Sequence, residues 1–297
     1  VSDATAAVSG FERKKVGFVG LGVMGAPMAM HVLKERGALH VYNRTESKAA
    51  ELTTAGSDFA SLEDLAKACD VVLICVSRSE DVLECLQRMS GAKPGTLFVD
   101  HSTIAPKTAK EIHADLSGKG LRFVDAPVTG GSVGAEKGQL TIFMGGEVAD
   151  CEEAKAVCAP FTKRSERVGG AGAGQTAKLA NQLAVVGTLL SVCESMAFAK
   201  KAGLDLAQIR EMVGSGAGGS WSYDVLGLKI LNEDWAPGFS VVNQLKDLDY
   251  CLQTAAEIGA IAPAADLARD LLSRLERAGQ GEFSTAALYK EYLEPTD

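Results

Sequence analysis

The chain has 297 residues, 46% of them hydrophobic and 23% charged, with a formal net charge of −8. That is the profile of a soluble globular protein with one large or two ordinary domains, and its acidic balance excludes a general binder of nucleic acid or of anionic membrane surfaces, which need a basic face. Seven scattered cysteines and four histidines, His31, His40, His101 and His113, show no metal-ligand spacing, so no zinc site is expected and the thiols are read as buried and reduced, as in a cytosolic protein.

The first stretch, VSDATAAVSGFERKK, is small and polar and lacks an apolar signal core. Residues 1–13 are read as a disordered leader, a reading compatible with a trimmed organellar form. From residue 14 strand-like and helix-like runs alternate. Strands are expected at Lys15–Gly20, Leu39–Asn43, Asp70–Val76 and Thr96–His101, then at Leu121–Pro127, Leu140–Gly146 and Ser165–Gly170. The inner runs are continuous Val, Ile and Leu, as strands buried on both faces should be. Segments such as SLEDLAKA and SEDVLECLQRM between them carry helical spacing. Alternation of this kind predicts an α/β domain over 14–172, with a doubly wound, mostly parallel sheet and right-handed crossovers.

After GGAGAGQ the character changes. Thr176–Gly203 reads as one long helix connecting two domains, apolar nearly all round and so expected to be buried on most sides. A membrane span is disfavoured, because Lys178, Asn181, Gln182 and Glu194 interrupt the run. The remainder reads as helical, with loops at GSGAGGS and NEDWAPG, so residues 173–297 are expected to form an all-α domain.

Gly20, Gly22 and Gly25 make a G-x-G-x-x-G pattern directly after the first strand and at the start of a helix. The first glycine permits a tight turn, the second lets backbone approach a pyrophosphate, and the third lets helix and strand pack closely. The helix N-terminus adds free N–H groups and partial positive charge. Gly20, Leu21, Gly22, Val23, Met24 and Gly25 are therefore candidate dinucleotide contacts. The second strand ends in Asn43, Arg44 and Thr45, where an NAD site usually offers a carboxylate to the ribose. A neutral residue followed by Arg44, whose planar fork suits a phosphate, favours NADP(H), with NAD(H) still usable. Val76 and Ser77, at the end of a further strand, are also cofactor candidates, and Thr103 and Lys246 join them below.

Three later stretches stand at strand ends or a helix start. DHSTIAP contains Thr103. DAPVTGGSVGAEKGQLTIFMGG contains Thr129, Gly130 and Gly131, whose hydroxyl and unhindered N–H groups suit a small carboxylate. GAGAGQTAKLANQ places Lys178 on an apolar helix with Asn181 and Gln182 three and four residues on, on its face. Burial and the helix dipole both lower a lysine pKa toward a range useful for proton transfer.

In this order the motifs GFVGLGVMGAPMA, DHSTIAP, DAPVTGGSVGAEKGQLTIFMGG, GAGQTAKLANQ and FSVVNQLKDLD resemble the β-hydroxyacid dehydrogenases. That family includes 3-hydroxyisobutyrate dehydrogenases, tartronate semialdehyde reductases and glyoxylate/succinic semialdehyde reductases, and the likeness covers nearly all of the chain from about Lys14. The resemblance implies a Rossmann-type domain, a long interdomain helix and an all-α C-terminal domain, assembled as a homodimer or homotetramer. It implies Lys178 as the catalytic lysine, Thr103 at cofactor and substrate, and Thr129, Gly130 and Gly131 at the substrate carboxylate, where the family usually has Ser before the glycines. Phe239, Lys246 and Asp247 match the pattern that closes over nicotinamide and substrate. The family commonly has Asn four residues after the lysine; here that position is Gln182, with Asn181 before it, so which amide touches substrate stays open. KLANQ resembles the tartronate semialdehyde reductases and Asn-Arg-Thr the NADP-using semialdehyde reductases, so the substrate stays open as well. The expectation is an NADP(H)-dependent reductase of a small carboxylated aldehyde, needing no metal, nucleic acid or membrane. The alternatives are a catalytically silent NADP-binding protein on the same fold and an NAD-dependent 3-hydroxyisobutyrate dehydrogenase.

Overall fold

A computed structural model describes residues 14–293; the leader expected over 1–13 lies outside the described residues. The chain divides into two compact units, the first ending at Lys178 and the second beginning at Leu179.

The strands are β1 (Val16–Val19), β2 (His40–Tyr42), β3 (Asp58–Phe59), β4 (Val71–Ile74), β5 (Leu97–Asp100), β6 (Arg122–Asp125), β7 (Val128–Thr129), β8 (Leu140–Gly145) and β9 (Thr162–Gly169). The helices of the first unit are α1 (Gly25–Arg36), α2 (Ala50–Thr54), α3 (Leu62–Ala68), α4 (Ser79–Arg88), α5 (Pro106–Gly118), α6 (Gly131–Glu136) and α7 (Val148–Cys158). Among the described residues the strands form one sheet in the order β3-β2-β1-β4-β5-β6-β8-β7, with β9 also paired to β8. Strands β1 to β6 pair in parallel, and only β6 and β7 meet β8 antiparallel. The order reverses between β1 and β4, the switch point where doubly wound sheets hold ligands at their carboxyl ends.

Every residue of β1, β4 and β5 is buried. Their side chains alternate between two cores, as the pleat requires. Phe18, Leu73 and Val99 join the core under α1, while Val19, Ile74 and Phe98 join the core with Leu65, Val82 and Ile112 on the other face. Burying each such side chain contributes about 1.5–3 kcal/mol relative to exposure.

Strand β6 stops at Asp125 rather than running to Pro127, and β7 follows in the same register on β8, with Asp125 opposite Gly145, Val128 opposite Ile142 and Thr129 opposite Thr141. Pro127, which has no N–H to give a ladder, lies in the break. Thr129 and the glycines after it are thereby carried past the carboxyl edge of the sheet. Strands β3 and β7, two residues each, are too short for any periodicity to announce them.

The second unit is all-helical. The long helix α8 (Ala173–Lys201) enters it, followed by α9 (Leu206–Gly214), α10 (Trp221–Leu231), α11 (Val241–Ile258), α12 (Pro263–Leu275) and a 3₁₀ segment at Thr285–Tyr292. Val186, Leu189, Cys193 and Met196 of α8 pack with Tyr223, Leu226, Leu248, Leu272 and Leu288. By length and composition α8 could cross a membrane, and half of its most apolar window is buried inside the protein. Burial on most sides is therefore not reached within one chain, and Phe198 is 76% exposed. None of the seven cysteines forms a disulfide; five are buried and Cys75 and Cys85 partly so. Burial pushes the Cys69 thiol up to about 12, which makes it unreactive.

Candidate active site

The three glycines of the first turn are required for different reasons. A Cβ on Gly20, whose φ is +96°, would lie 2.1 Å from the Cys75 carbonyl, and one on Gly25 would lie 1.9 Å from the Gly20 carbonyl. Packing alone demands both. A Cβ on Gly22 would meet no atom within 4 Å, so nothing in the protein requires a glycine there. Close approach of a ligand to the backbone explains it. Helix α1 begins at this turn with no side-chain cap at Met24 and no acidic residue in its first turn, leaving its N–H groups and dipole for an anion. The residues present thus fit a dinucleotide pyrophosphate.

Asn43 ties the end of β2 to the turn: its Oδ1 accepts from the Leu21 N–H at 2.9 Å, and its Nδ2 donates to the Thr45 carbonyl at 2.8 Å. Its amide thus acts first as a strut within the protein. The Arg44 side chain is 84% exposed, with Asp81 Oδ1 at 3.8 Å, and Thr45 is exposed beside it. Beyond β4 the Val76 N–H donates to Ser102 Oγ at 2.9 Å, and Ser77 is exposed. Thr103, half-buried, follows Ser102 past the end of β5.

Helix α8 starts against this same edge. Asp125, at the end of β6 and fully buried, accepts from the Gly172 N–H at 2.7 Å and from the Gln175 N–H at 2.8 Å. Burial pushes its carboxyl up to about 6 despite those N–H donors. Cβ atoms on Gly145 and Gly174 would lie 2.6 Å and 2.8 Å from its carboxylate oxygens, so two glycines leave it just enough room. Lys178, one turn into the helix from Gln175, is 7% exposed. Thr129 is half-buried and Gly130 and Gly131 are exposed, at φ of +131° and +65°. These left-handed conformations favour glycine whatever it binds.

His101 is fully buried, its Nδ1 lies 2.8 Å from the Ala126 carbonyl and its Nε2 lies 3.5 Å from Cys158 Sγ. Burial lowers its pKa to about 4, so the ring is neutral, donating at Nδ1 and accepting at Nε2.

In the second unit Gln182 is held on both sides. Its Oε1 accepts from Asn181 Nδ2 at 3.0 Å and its Nε2 donates to Asp247 Oδ2 at 2.6 Å. Lys246 Nζ lies 3.1 Å from Asp247 Oδ1 and 5.5 Å from the centre of the Tyr250 ring. Phe239 is 36% exposed. Asp125, Gln175, Ser102 and Tyr250 are not among the residues that the sequence singles out. Asp125 and Gln175 stand inside motifs quoted above, but their partners are distant in sequence.

Residues 15–170 match the NAD binding domain of 6-phosphogluconate dehydrogenase, and residues 172–292 match the NAD-binding domain of NADP-dependent 3-hydroxyisobutyrate dehydrogenase. A probable 3-hydroxyisobutyrate dehydrogenase-like mitochondrial protein of Arabidopsis thaliana is 38% identical over 280 residues, 92% of this chain and 84% of its own. The chain belongs to the 3-hydroxyisobutyrate dehydrogenase family. Among solved structures, 3-hydroxyisobutyrate dehydrogenase from Salmonella typhimurium superposes with a TM-score of 0.87 at 29% identity, covering 93% of this chain and 99% of that one. Psf3, solved in complex with NADP+ and 2-OPP, superposes with a TM-score of 0.85 at 27% identity, covering 93% and 99%. Family membership makes this chain an NAD(P)-binding oxidoreductase whose sheet and helical unit are those the resemblance implied.

Proposed function

We propose that the protein is an NADP(H)-dependent reductase of a small carboxylated aldehyde, working reversibly toward the hydroxyacid. Succinic semialdehyde, glyoxylate, tartronate semialdehyde and methylmalonate semialdehyde are the substrates of this class. The observation that carries the reading is Lys178, 7% exposed, on a helix whose start is bonded to the sheet edge that also bears the open nucleotide turn. A buried lysine is expensive unless it serves something.

The nicotinamide, when bound, supplies the hydride that adds to the carbonyl carbon. Lys178 Nζ gives a proton to the carbonyl oxygen as it becomes an alkoxide, and takes one back from the hydroxyl in the oxidative direction. The Thr129 hydroxyl and the N–H groups of Gly130 and Gly131 hold the substrate carboxylate. Because Gln182 is engaged at both its oxygen and its nitrogen, Asn181 is the amide we assign to substrate, and Gln182 orients Asp247. Phe239, Lys246 and Asp247 keep the roles that the resemblance gives them.

NADP(H) is favoured because β2 ends without a carboxylate and Arg44 stands exposed there; a relative of the same fold binds NADP+. Exposed Phe198, Met212 and Trp221 in the helical unit support a homodimer or homotetramer. Reduced thiols fit the cytoplasm, and the mitochondrial relative fits an organellar form.

Lys178→Met tests the reading. General acid catalysis contributes about 10²–10⁴-fold, so NADPH oxidation with each of the four aldehydes should fall by that factor while NADPH affinity holds. A variant that keeps more than about a tenth of wild-type kcat removes Lys178 from the chemistry.

A further inference from the structure

A side chain of the helix that carries Lys178 reaches the loop that carries Thr103. Gln175 is fully buried. Its Oε1 accepts from the Ile104 N–H at 3.1 Å and its Nε2 donates to the Ser102 carbonyl at 2.8 Å. The amide thus bridges the backbone on either side of Thr103. Reversing it would set nitrogen against N–H and oxygen against carbonyl, so its orientation is determined. Its own backbone is fixed too, because the Gln175 N–H donates to Asp125 Oδ2 at 2.8 Å.

The loop's other bonds tie it to the sheet and to α4. Ser102 Oγ accepts from the Val76 N–H at 2.9 Å, the Ser102 N–H donates to Asp100 Oδ1 at 3.0 Å, and the Ala105 N–H donates to Ser79 Oγ at 3.3 Å. Gln175 supplies a link from this loop to α8, three residues before Lys178. We propose that Gln175 is a positioning residue, setting the spacing between Thr103 and Lys178 by clamping the Ser102–Ile104 backbone to the first turn of α8. An amide suits this task because it presents a donor nitrogen and an acceptor oxygen a fixed distance apart, matching a carbonyl and an N–H two residues apart. Without it, two buried backbone groups lose their partners, and a displacement of about 1 Å at a reacting centre is enough to cost roughly a hundredfold in rate.

The inference rests on the catalytic reading of Lys178, and the variants separate the two. Gln175→Met keeps the length and removes both bonds. It should lower kcat by about 10–100-fold and leave the NADPH Kd within about threefold of wild type, since the pyrophosphate turn is separate. Hydrogen exchange at the Ile104 amide should quicken. Combined with Thr103→Val, it should be no more than about threefold slower than the worse single variant, as coupled sites are not additive. Gln175→Glu keeps the acceptor and loses the donor. Burial raises the pKa of an introduced acid, so its activity relative to wild type should recover between about pH 8 and about pH 6, as a protonated carboxyl regains an O–H for the Ser102 carbonyl. Where Gln175→Met does not fold, Gln175→Glu and its pH profile carry the test. A kcat within about threefold of wild type for Gln175→Met beside an inactive Lys178→Met overturns the positioning role alone, as do fully additive losses with Thr103→Val. Retained turnover in Lys178→Met overturns the functional reading and this inference together.

Discussion

Two helices begin in the first unit after glycine-rich turns at the same edge of the sheet, and the protein treats them in opposite ways. G-L-G-V-M-G leads into α1, which has no side-chain cap and no acid in its first turn. G-G-A-G-A-G leads into α8, whose first N–H groups donate to the buried Asp125 carboxylate. The first turn keeps its donors and dipole for a ligand's negative charge. The second has its anion built in, so its dipole is answered internally and the helix serves as a rigid mount for Lys178. A glycine-rich helix start is therefore a ligand site only when the protein supplies no anion of its own.

Glycine substitutions should separate the two turns most sharply. A Cβ on Gly174 would lie 2.5 Å from the Asp125 carbonyl oxygen and 2.6 Å from that of Phe143. Backbone atoms cannot step aside, so Gly174→Val should destabilise by about 4 kcal/mol or more and yield little folded protein. A Cβ on Gly22 has open space. Gly22→Val should melt within a few degrees of wild type yet bind NADPH about 100-fold more weakly, since it obstructs several charge-assisted N–H bonds worth roughly 1.5–3 kcal/mol each. Thermal melts and cofactor titrations of both variants decide it. Undiminished NADPH binding by Gly22→Val would leave α1 without a ligand and dissolve the contrast.

A smaller effect is expected at Arg44. Its exposed side chain would meet a 2′-phosphate through a charge-assisted bond, and losing that bond corresponds to about 10–150-fold in affinity, with the lower end expected for so exposed a group. Arg44→Ala should weaken NADPH by that factor and leave NADH nearly unchanged. Equal losses for both cofactors would show that Arg44 supports the turn generally and reads no phosphate.

What the sequence disclosed and what it withheld differ in range. The β1–turn–α1 unit is contiguous, and the buried strands declare themselves as apolar runs, so the Rossmann sheet and the nucleotide turn could be read directly. The side-chain bonds along α8 join residues far apart in the chain. Asp125 meets Gln175 across 50 residues, Gln175 meets Ser102 across 73, and Gln182 meets Asp247 across 65. No local pattern marks Asp125 as a helix cap, because Pro127 breaks the strand after it and α8 begins well downstream. Asn43 was legible as a neutral residue at a diagnostic position, but its bond to the Leu21 N–H requires knowing that β2 lies beside β1. Helix α8 begins at Ala173, three residues before the expected Thr176, for the same reason: the N–H groups of Gly172 and Gln175 at its start donate to Asp125.

The built-in anion of α8 has one more consequence, and it gives the smallest of the expected effects. Asp125 titrates at about 6 in the folded protein because burial disfavours its charge, against about 3.9 in an unfolded chain. Between those values the folded state binds more protons than the unfolded one, so this group's contribution to stability is greatest below about 3.9 and declines as pH rises through the window to about 6. His101 acts in the opposite sense over an overlapping range: its pKa is lowered to about 4 by burial, from about 6.5 when unfolded, so its contribution is lost as pH falls. In the wild type the two partly offset each other. Asp125→Asn removes the first and keeps the second. Asn keeps one acceptor oxygen but turns an amino group toward one of the two N–H donors, a loss of roughly 1–3 kcal/mol. It should therefore melt below wild type at every pH, and the gap should widen as pH is lowered from about 6 to about 4, since only the wild type gains from protonating residue 125 while both lose from charging His101. Melting curves of the two proteins across that range provide the check. A gap that narrows on acidification would mean that the helix N–H groups, rather than burial, govern Asp125, and that its carboxylate is fully ionised while it caps α8.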